Sequence, residues 1–192
     1  MSIQLIVGLS NPGKQYEKTR HNAGAWFVEL LAKENHITLK PQSKYHGLYQ
    51  LATLGTTPCH LLIPTTYMNE SGKAVGACAR YLRIPSHHIL IAHDDMDLPP
   101  GTARLKQDGG DAGHNGLKNI IAHLHTKQFY RLRIGVGKPN QKDKIDYVLS
   151  HPNRADKKLI DDAILKTYQI LPLVLQGEMQ KAMHQLHTVS SE

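Results

Sequence analysis

Five polar residues spread along the chain, Asn11, His21, Asn69, Asp94 and Asn115, have the types needed to hydrolyse an ester with water. Histidine titrates near neutrality and can take a proton from water. An aspartate can hold its other ring nitrogen, and side-chain amides can bind a carbonyl oxygen without competing as nucleophiles. No serine or cysteine stands in a Gly-x-Ser-x-Gly setting, so direct attack by activated water is the economical mechanism for a hydrolase built on this set. General-base assistance contributes roughly 10²–10⁴ in rate, which suffices for an ester far more readily than for an unactivated amide. Taken singly, each residue has a commoner role: loop asparagines form Asx turns or caps, His21 beside Asn22 could merely open a helix, and Asp94 could be a turn residue.

Other chemistries fit less well. Gly8 to Lys14 matches G-x-x-x-x-G-K, but position 15 is Gln where a hydroxyl should meet Mg²⁺, and Pro12 removes a backbone donor from the phosphate cradle. The glycines of 109–116 fail G-x-G-x-x-G in register. His93, Asp94, Asp95 and Asp97 crowd one loop, yet no H-E-x-x-H occurs and no second cluster lies close in sequence, so no metal site is expected.

The elements that must position these residues follow from periodicity. The apolar run 3–9 reads as a buried strand that ends at Ser10-Asn-Pro-Gly13. Ala23, Trp26, Phe27, Leu30 and Leu31 mark a helix with Asn22 as its N-cap. Strands follow at 46–54 and 59–63, then a helix carrying Val75, Cys78, Ala79 and Leu82 that Pro85 stops. A strand at Ile89–Ala92 runs into the acidic loop. Next come a strand near 102–107, a glycine-rich loop at 109–113, a helix with Leu117, Ile120, Ile121 and Leu124 inside, and a strand over 130–136. The last third is helical, with Ile160, Ile164, Thr167, Leu171 and Val174 on one stripe, a kink at Pro172 and a cap at Gly177. Strands and helices interleave throughout, which predicts one α/β domain over 1–192 with a mixed, mostly parallel twisted sheet flanked by helices. In such sheets ligands bind at the carboxyl ends of the strands, which directs attention to the loops after Val7, Ile63 and Ala92.

At 192 residues the chain can bury a real core, and 40% hydrophobic with 20% charged residues excludes a disordered or fibrous protein. No apolar run reaches the roughly 18 residues of a membrane helix, and no secretory leader precedes the first strand, so a cytoplasmic location is expected. Cys59 and Cys78 fit no disulfide or zinc spacing and read as small buried hydrophobes. The net charge is +7, concentrated between Arg104 and Lys144, where nine bases (Lys142 among them) face three acids. That segment suits a phosphate-bearing partner, although a basic surface can serve solubility alone.

Six ordered stretches are similar to bacterial-type peptidyl-tRNA hydrolases: 7–13, 16–24, 64–72, 93–101, 113–118 and 131–135. They include Thr19-Arg-His-Asn-Ala-Gly24, Pro64-Thr-Thr-Tyr-Met-Asn-Glu-Ser-Gly72 and Gly113-His-Asn-Gly-Leu-Lys118. The resemblance covers nearly the whole chain and implies hydrolysis of the ester between a peptide and the 3′ end of tRNA. It makes His21 the general base, with Asp94 orienting it and Asn11 at the peptide side as catalytic residues. Asn69 and Asn115 would meet the substrate near the ester, Tyr16 and Tyr67 would line the cleft, and Lys106 and Arg133 would clamp the tRNA 5′ phosphate. It further implies peptidyl-tRNA, through its acceptor stem and 3′ end, as the partner, with no membrane and no obligate protein partner. No metal or other cofactor, a cytoplasmic location and a monomer are also implied. Asp111-Ala112 departs from the glycine pair frequent in the family at that loop. A non-catalytic RNA-binding module and a small-ester esterase remain the alternatives; the first would not need His21, Asp94, Asn11 and Asn69 together, and the second would not need Lys106 and Arg133.

Overall fold

A computed structural model describes residues 2–140 and 143–188, so Lys142 in the basic segment lies outside the described residues. The elements run β1 (Leu5–Gly8), α1 (Ala23–Glu34), β2 (Lys40–Gln42), β3 (Gly47–Leu54), β4 (Thr57–Pro64), α2 (Ser71–Leu82), β5 (Ile89–Asp95), β6 (Ala103–Gln107), α3 (Asn115–Leu124), β7 (Tyr130–Gly135), α4 (Lys144–Val148), α5 (Arg154–Leu175) and α6 (Met179–His187). The strands form one sheet in the order β2-β3-β4-β1-β5-β7-β6. Its centre, β4-β1-β5-β7, is parallel, and the outer pairs β2-β3, β3-β4 and β6-β7 are antiparallel. The expected mixed sheet is therefore present, parallel at its core and antiparallel towards both edges. Two short elements had no period to betray them: β2 has three residues and α4 five.

The central strands are buried on both faces, and their side chains alternate between two cores. Ile6, Leu90, Leu132 and Ile134 pack with Phe27 and Leu31 of α1, with Ile160 and Ile164 of α5 and with Ala182 of α6. Leu5, Val7, Ile89 and Ile91 pack on the other face with Val75 and Cys78 of α2 and Leu117 and Ile120 of α3. Burial pushes the thiols of Cys59 and Cys78 up to about 12, so both stay protonated at neutral pH and act as core hydrophobes. The α5 stripe is buried as its spacing implies. The helix continues through Pro172 to Leu175 and closes on Gly177 (φ 79°), whose N–H reaches Val174 O while Glu178 N reaches Leu173 O. Among the described residues no helix is long and apolar enough to cross a membrane.

One contact sets the distance between α1 and the sheet. A Cβ on Gly24 would lie 2.1 Å from the Ala92 carbonyl oxygen, so only glycine lets the start of α1 rest on β5. The residues just before α1 are thereby brought beside the end of β5.

Candidate active site

β1 has parallel neighbours on both sides, β4 and β5, which makes its carboxyl end a switch point where a crevice opens. Asn11 lies just beyond β1, Tyr67 and Asn69 beyond β4, and Asp94 near the end of β5. A short 3₁₀ turn, Arg20–Asn22, delivers His21 immediately before α1. All of these line one cleft of about 1260 Å³, together with His114, Asn115, Lys106 and Arg133. Pockets for small molecules are usually about 300–1,000 Å³, so this one suits a larger substrate. Tyr16 is not among the lining residues: it belongs to the turn at 13–19, where its carbonyl accepts from the Thr19 N–H and hydroxyl.

At the bottom of the cleft His21 Nδ1 lies 2.9 Å from both carboxylate oxygens of Asp94. Asp94 follows Leu90 and Ala92 in the strand alternation, so its side chain leaves the sheet on the α1 side, where His21 waits. A carboxylate can only accept, so Nδ1 carries the proton and Nε2 keeps its lone pair. Nε2 makes no hydrogen bond among the described residues, and the ring lines the cleft. Burial alone would lower the His21 pKa, but the charge of Asp94 and its hydrogen bond outweigh burial, and the value is raised. Burial acts on Asp94 in the opposite sense and would raise its pKa; the neighbouring His21 and His114, by charge and hydrogen bond, hold it well below the usual carboxylate range.

His114 is the residue that sequence reasoning passed over. Its Nε2 is 2.8 Å from Asp94 Oδ1, and its Nδ1 accepts from Gly116 N (3.1 Å) and Leu117 N (3.4 Å) as the N-cap of α3. Only its place directly before Asn115, inside a matched motif, hinted at a role. His21, Asp94 and His114 offer ligand atoms within 4.8 Å of one another. To bind a metal, His114 would have to move its proton from Nε2 to Nδ1, where two backbone N–H groups already point. Coordination and the helix cap oppose each other.

Asn22 is the N-cap of α1 by position but makes no side-chain cap bond, which corrects the expectation from sequence. Its amide instead clasps the Asn11 backbone, accepting from Asn11 N (2.9 Å) and donating to Asn11 O (3.0 Å). The side chain of Asn11 is oriented in turn, because its Oδ1 accepts from Met68 N at 2.7 Å. That leaves the Asn11 amino group as a donor for the cleft it lines. Asn69 and Asn115 line the same cleft and are exposed, as is Tyr67 at 56%.

The acids at the end of β5 and just beyond it are partnered one by one. Asp95 Oδ2 accepts from Arg133 Nε at 2.7 Å, its Oδ1 from Asp97 N, and Asp97 pairs with Lys138. Arg133 therefore reaches the cleft already tied to an acid, whereas Lys106 makes no ion pair among the described residues. The β6-β7 register sets Lys106 opposite Arg131 and Arg104 opposite Arg133, so four bases share one face of this antiparallel edge pair. Arg131 is buried, lies over the Phe129 ring and donates from Nη2 to Gly109 O at 2.7 Å, tying the glycine-rich loop to the sheet. Asp111 helps build that loop rather than standing as a loose acid, since its Oδ1 accepts from Gly113 N at 2.8 Å.

The family model for peptidyl-tRNA hydrolase matches residues 5–192. The chain is 51% identical to a peptidyl-tRNA hydrolase of Nitrosospira multiformis, over 97% of this chain and 98% of the relative, and 52% identical to one of Shewanella halifaxensis, over 97% of each. Among solved structures, a peptidyl-tRNA hydrolase complexed with N-propanol superposes with a TM-score of 0.95 at 43% identity, covering 99% of this chain and 97% of the other. The enzyme from Acinetobacter baumannii superposes at 0.94 with 44% identity, covering 97% and 95%. With nearly its whole length matched at such identity, the chain belongs to the peptidyl-tRNA hydrolase family.

Proposed function

We propose that this chain, acting over 1–192 as one domain, hydrolyses the ester between a peptide and the 3′ end of tRNA and so recycles tRNA during translation. The observation that carries the reading is the His21–Asp94 pair at 2.9 Å, with the free ring nitrogen open to a cleft that also holds three asparagines and a basic face. His21 Nε2 takes a proton from water as the water attacks the ester carbonyl. Asp94 holds the ring in the required tautomer and stabilises the imidazolium that forms. The Asn11 amino group donates to the acyl portion of the substrate, and Asn69 and Asn115 hold the attacking water or the terminal ribose. Tyr67 supplies an aromatic wall for the 3′ end. Lys106 takes the 5′ phosphate together with Arg133, whose Nε stays on Asp95 while its remaining N–H groups face the substrate.

The protein works on the acceptor stem and 3′ end as a cytoplasmic monomer, without metal, cofactor, membrane or obligate protein partner. The test is release of an N-acetylated aminoacyl group from tRNA compared with release of the unblocked group, in chelator, by wild type and His21→Ala. Rapid release of the blocked group alone, lost in the variant, is the expected result. Salt-sensitive tRNA binding without release would leave an RNA-binding module and overturn the reading.

A further inference from the structure

We infer that His114 is a positioning residue for the proposed base, a histidine locked in one tautomer so that it shares Asp94 with His21 and ties the base to the α3 terminus that presents Asn115. The inference rests on the reading of His21 as base. The imidazole of His114 is pinned at both nitrogens. Gly116 and Leu117 donate to Nδ1 from the first turn of α3, so Nδ1 must be the acceptor and the proton must sit on Nε2. That N–H points at Asp94 Oδ1 from 2.8 Å. Moving its proton to Nδ1 would set N–H against N–H at the helix end, and turning the ring over would put Cδ2–H there in place of the acceptor.

A buried carboxylate that accepts from two imidazoles divides its charge between them. His114 occupies part of Oδ1, and the hold of Asp94 on His21 is moderated accordingly. The two rings lie 4.9 Å apart between centroids, beside the carboxylate they share. The other titratable groups around them are constrained. His93 of β5 lies edge-on to His114 at 5.1 Å and is driven strongly towards its neutral form by burial. Asp95, next along β5, is occupied by Arg133 of β7. His114 is thus the group besides Asp94 placed to tune His21. Because it is also the N-cap of α3, with Asn115 the first residue of that helix, one side chain sets the distance between the base and a substrate-binding amide.

Two replacements separate its two roles. His114→Asn keeps an oxygen to cap α3 but is too short for Asp94. His114→Gln places an amide N–H where Nε2 was but weakens the cap. With Asp94 released from one donor, its full charge falls on His21, so the acid limb of the kcat/KM profile moves to higher pH in His114→Asn. We expect kcat to drop roughly 10- to 100-fold, the scale of one charge-assisted hydrogen bond, with KM unchanged. His114→Gln returns the acid limb to its wild-type position and recovers part of kcat.

A His114→Asn protein that folds like wild type with an unmoved acid limb would overturn the inference, whether or not kcat falls. Should that variant fail to fold, His114→Gln decides: a wild-type acid limb supports the inference, and a loss as deep as in His114→Ala overturns it. Titration of the His21 ring by ¹⁵N NMR keeps the two readings apart. Activity retained by His21→Ala would end the base assignment, whereas the NMR shift in His114→Asn tests the coupling without any turnover.

Discussion

Replacing Asp94 with asparagine changes one atom and should reverse the sense of the site. Asp94 is 3% exposed and accepts from His21 Nδ1 at 2.9 Å and His114 Nε2 at 2.8 Å. An amide has one accepting end, so it cannot serve both imidazoles. If its oxygen stays with His114, whose proton is fixed on Nε2 by the α3 cap, its NH₂ faces His21 Nδ1. The His21 proton then moves to Nε2, and the lone pair that should receive the proton of water is lost. Loss of general-base assistance lowers kcat by about 10²–10⁴. At about 1.4 kcal/mol per tenfold, this corresponds to roughly 3–5 kcal/mol of transition-state stabilisation.

The pH profile supplies the sharper check on the same substitution. In the wild type burial lowers the His21 pKa, but the Asp94 charge and hydrogen bond together raise it above 6.5, so activity should rise with pH through an acid limb above that value. In Asp94→Asn only burial acts, and the residual activity should show its acid limb below 6.5. Stability follows the same linkage. The depressed pKa of Asp94 contributes stability that is present above its unfolded value, near 4, and lost as pH falls through the folded value. The raised pKa of His21 contributes stability that is full below 6.5 and lost as pH rises through its folded value. In the variant the Asp94 dependence should vanish and that of His21 should reverse, because burial alone lowers its pKa and stability is then lost as pH falls below 6.5. Single-turnover rates on N-acetylated aminoacyl-tRNA from pH 5 to 9, alongside urea unfolding, would measure them. An acid limb in the same place in variant and wild type would refute the pairing as the source of the His21 shift.

Three further outcomes test the surroundings of the base. Lys106→Ala should raise KM and reduce the slope of log KM against log salt by roughly one, the signature of one lost phosphate contact; an unchanged slope would remove Lys106 from the substrate interface. Asn22→Ala should cost about 1–3 kcal/mol in urea unfolding and lower kcat, because the Asn11 backbone loses both its partners; an unshifted unfolding midpoint would show that the clasp does not matter. Ala112 sits at φ 48°, where an L residue is strained by about 1–2 kcal/mol and glycine loses about 0.5–1 kcal/mol more chain entropy. Ala112→Gly should therefore stabilise the protein by about 0.5–1 kcal/mol, and a loss of stability would contradict the strain.

Much of the architecture was legible because it is local. The α5 stripe from Ile160 to Val174, the buried run of β5 and the Gly177 cap declare themselves through periodicity and backbone preference, and the structure follows them. β2 and α4 escaped because three or five residues are too few to show a period. Asn22 misled because a cap and a long-range clasp use the same amide, and only packing decides which partner is nearer. Tyr16 lies in a matched stretch, but its turn keeps it out of the cleft lining. His114 was hidden for a related reason: its partner Asp94 lies 20 residues away on a different element.

Residue types and their order along the chain were enough to indicate the α/β class, to point to a hydrolytic reading and to mark the basic segment, since hydrophobic period, acid-base character and charge belong to residues themselves. The tertiary structure alone decided which nitrogen of His21 carries its proton, that Asp94 is shared by two imidazoles, and that Arg133 arrives already paired with Asp95. Those properties depend on distances of about 3 Å between residues brought together by the 4-1-5 strand order and by the close seat of Gly24 on β5, and such distances arise only once the chain has folded.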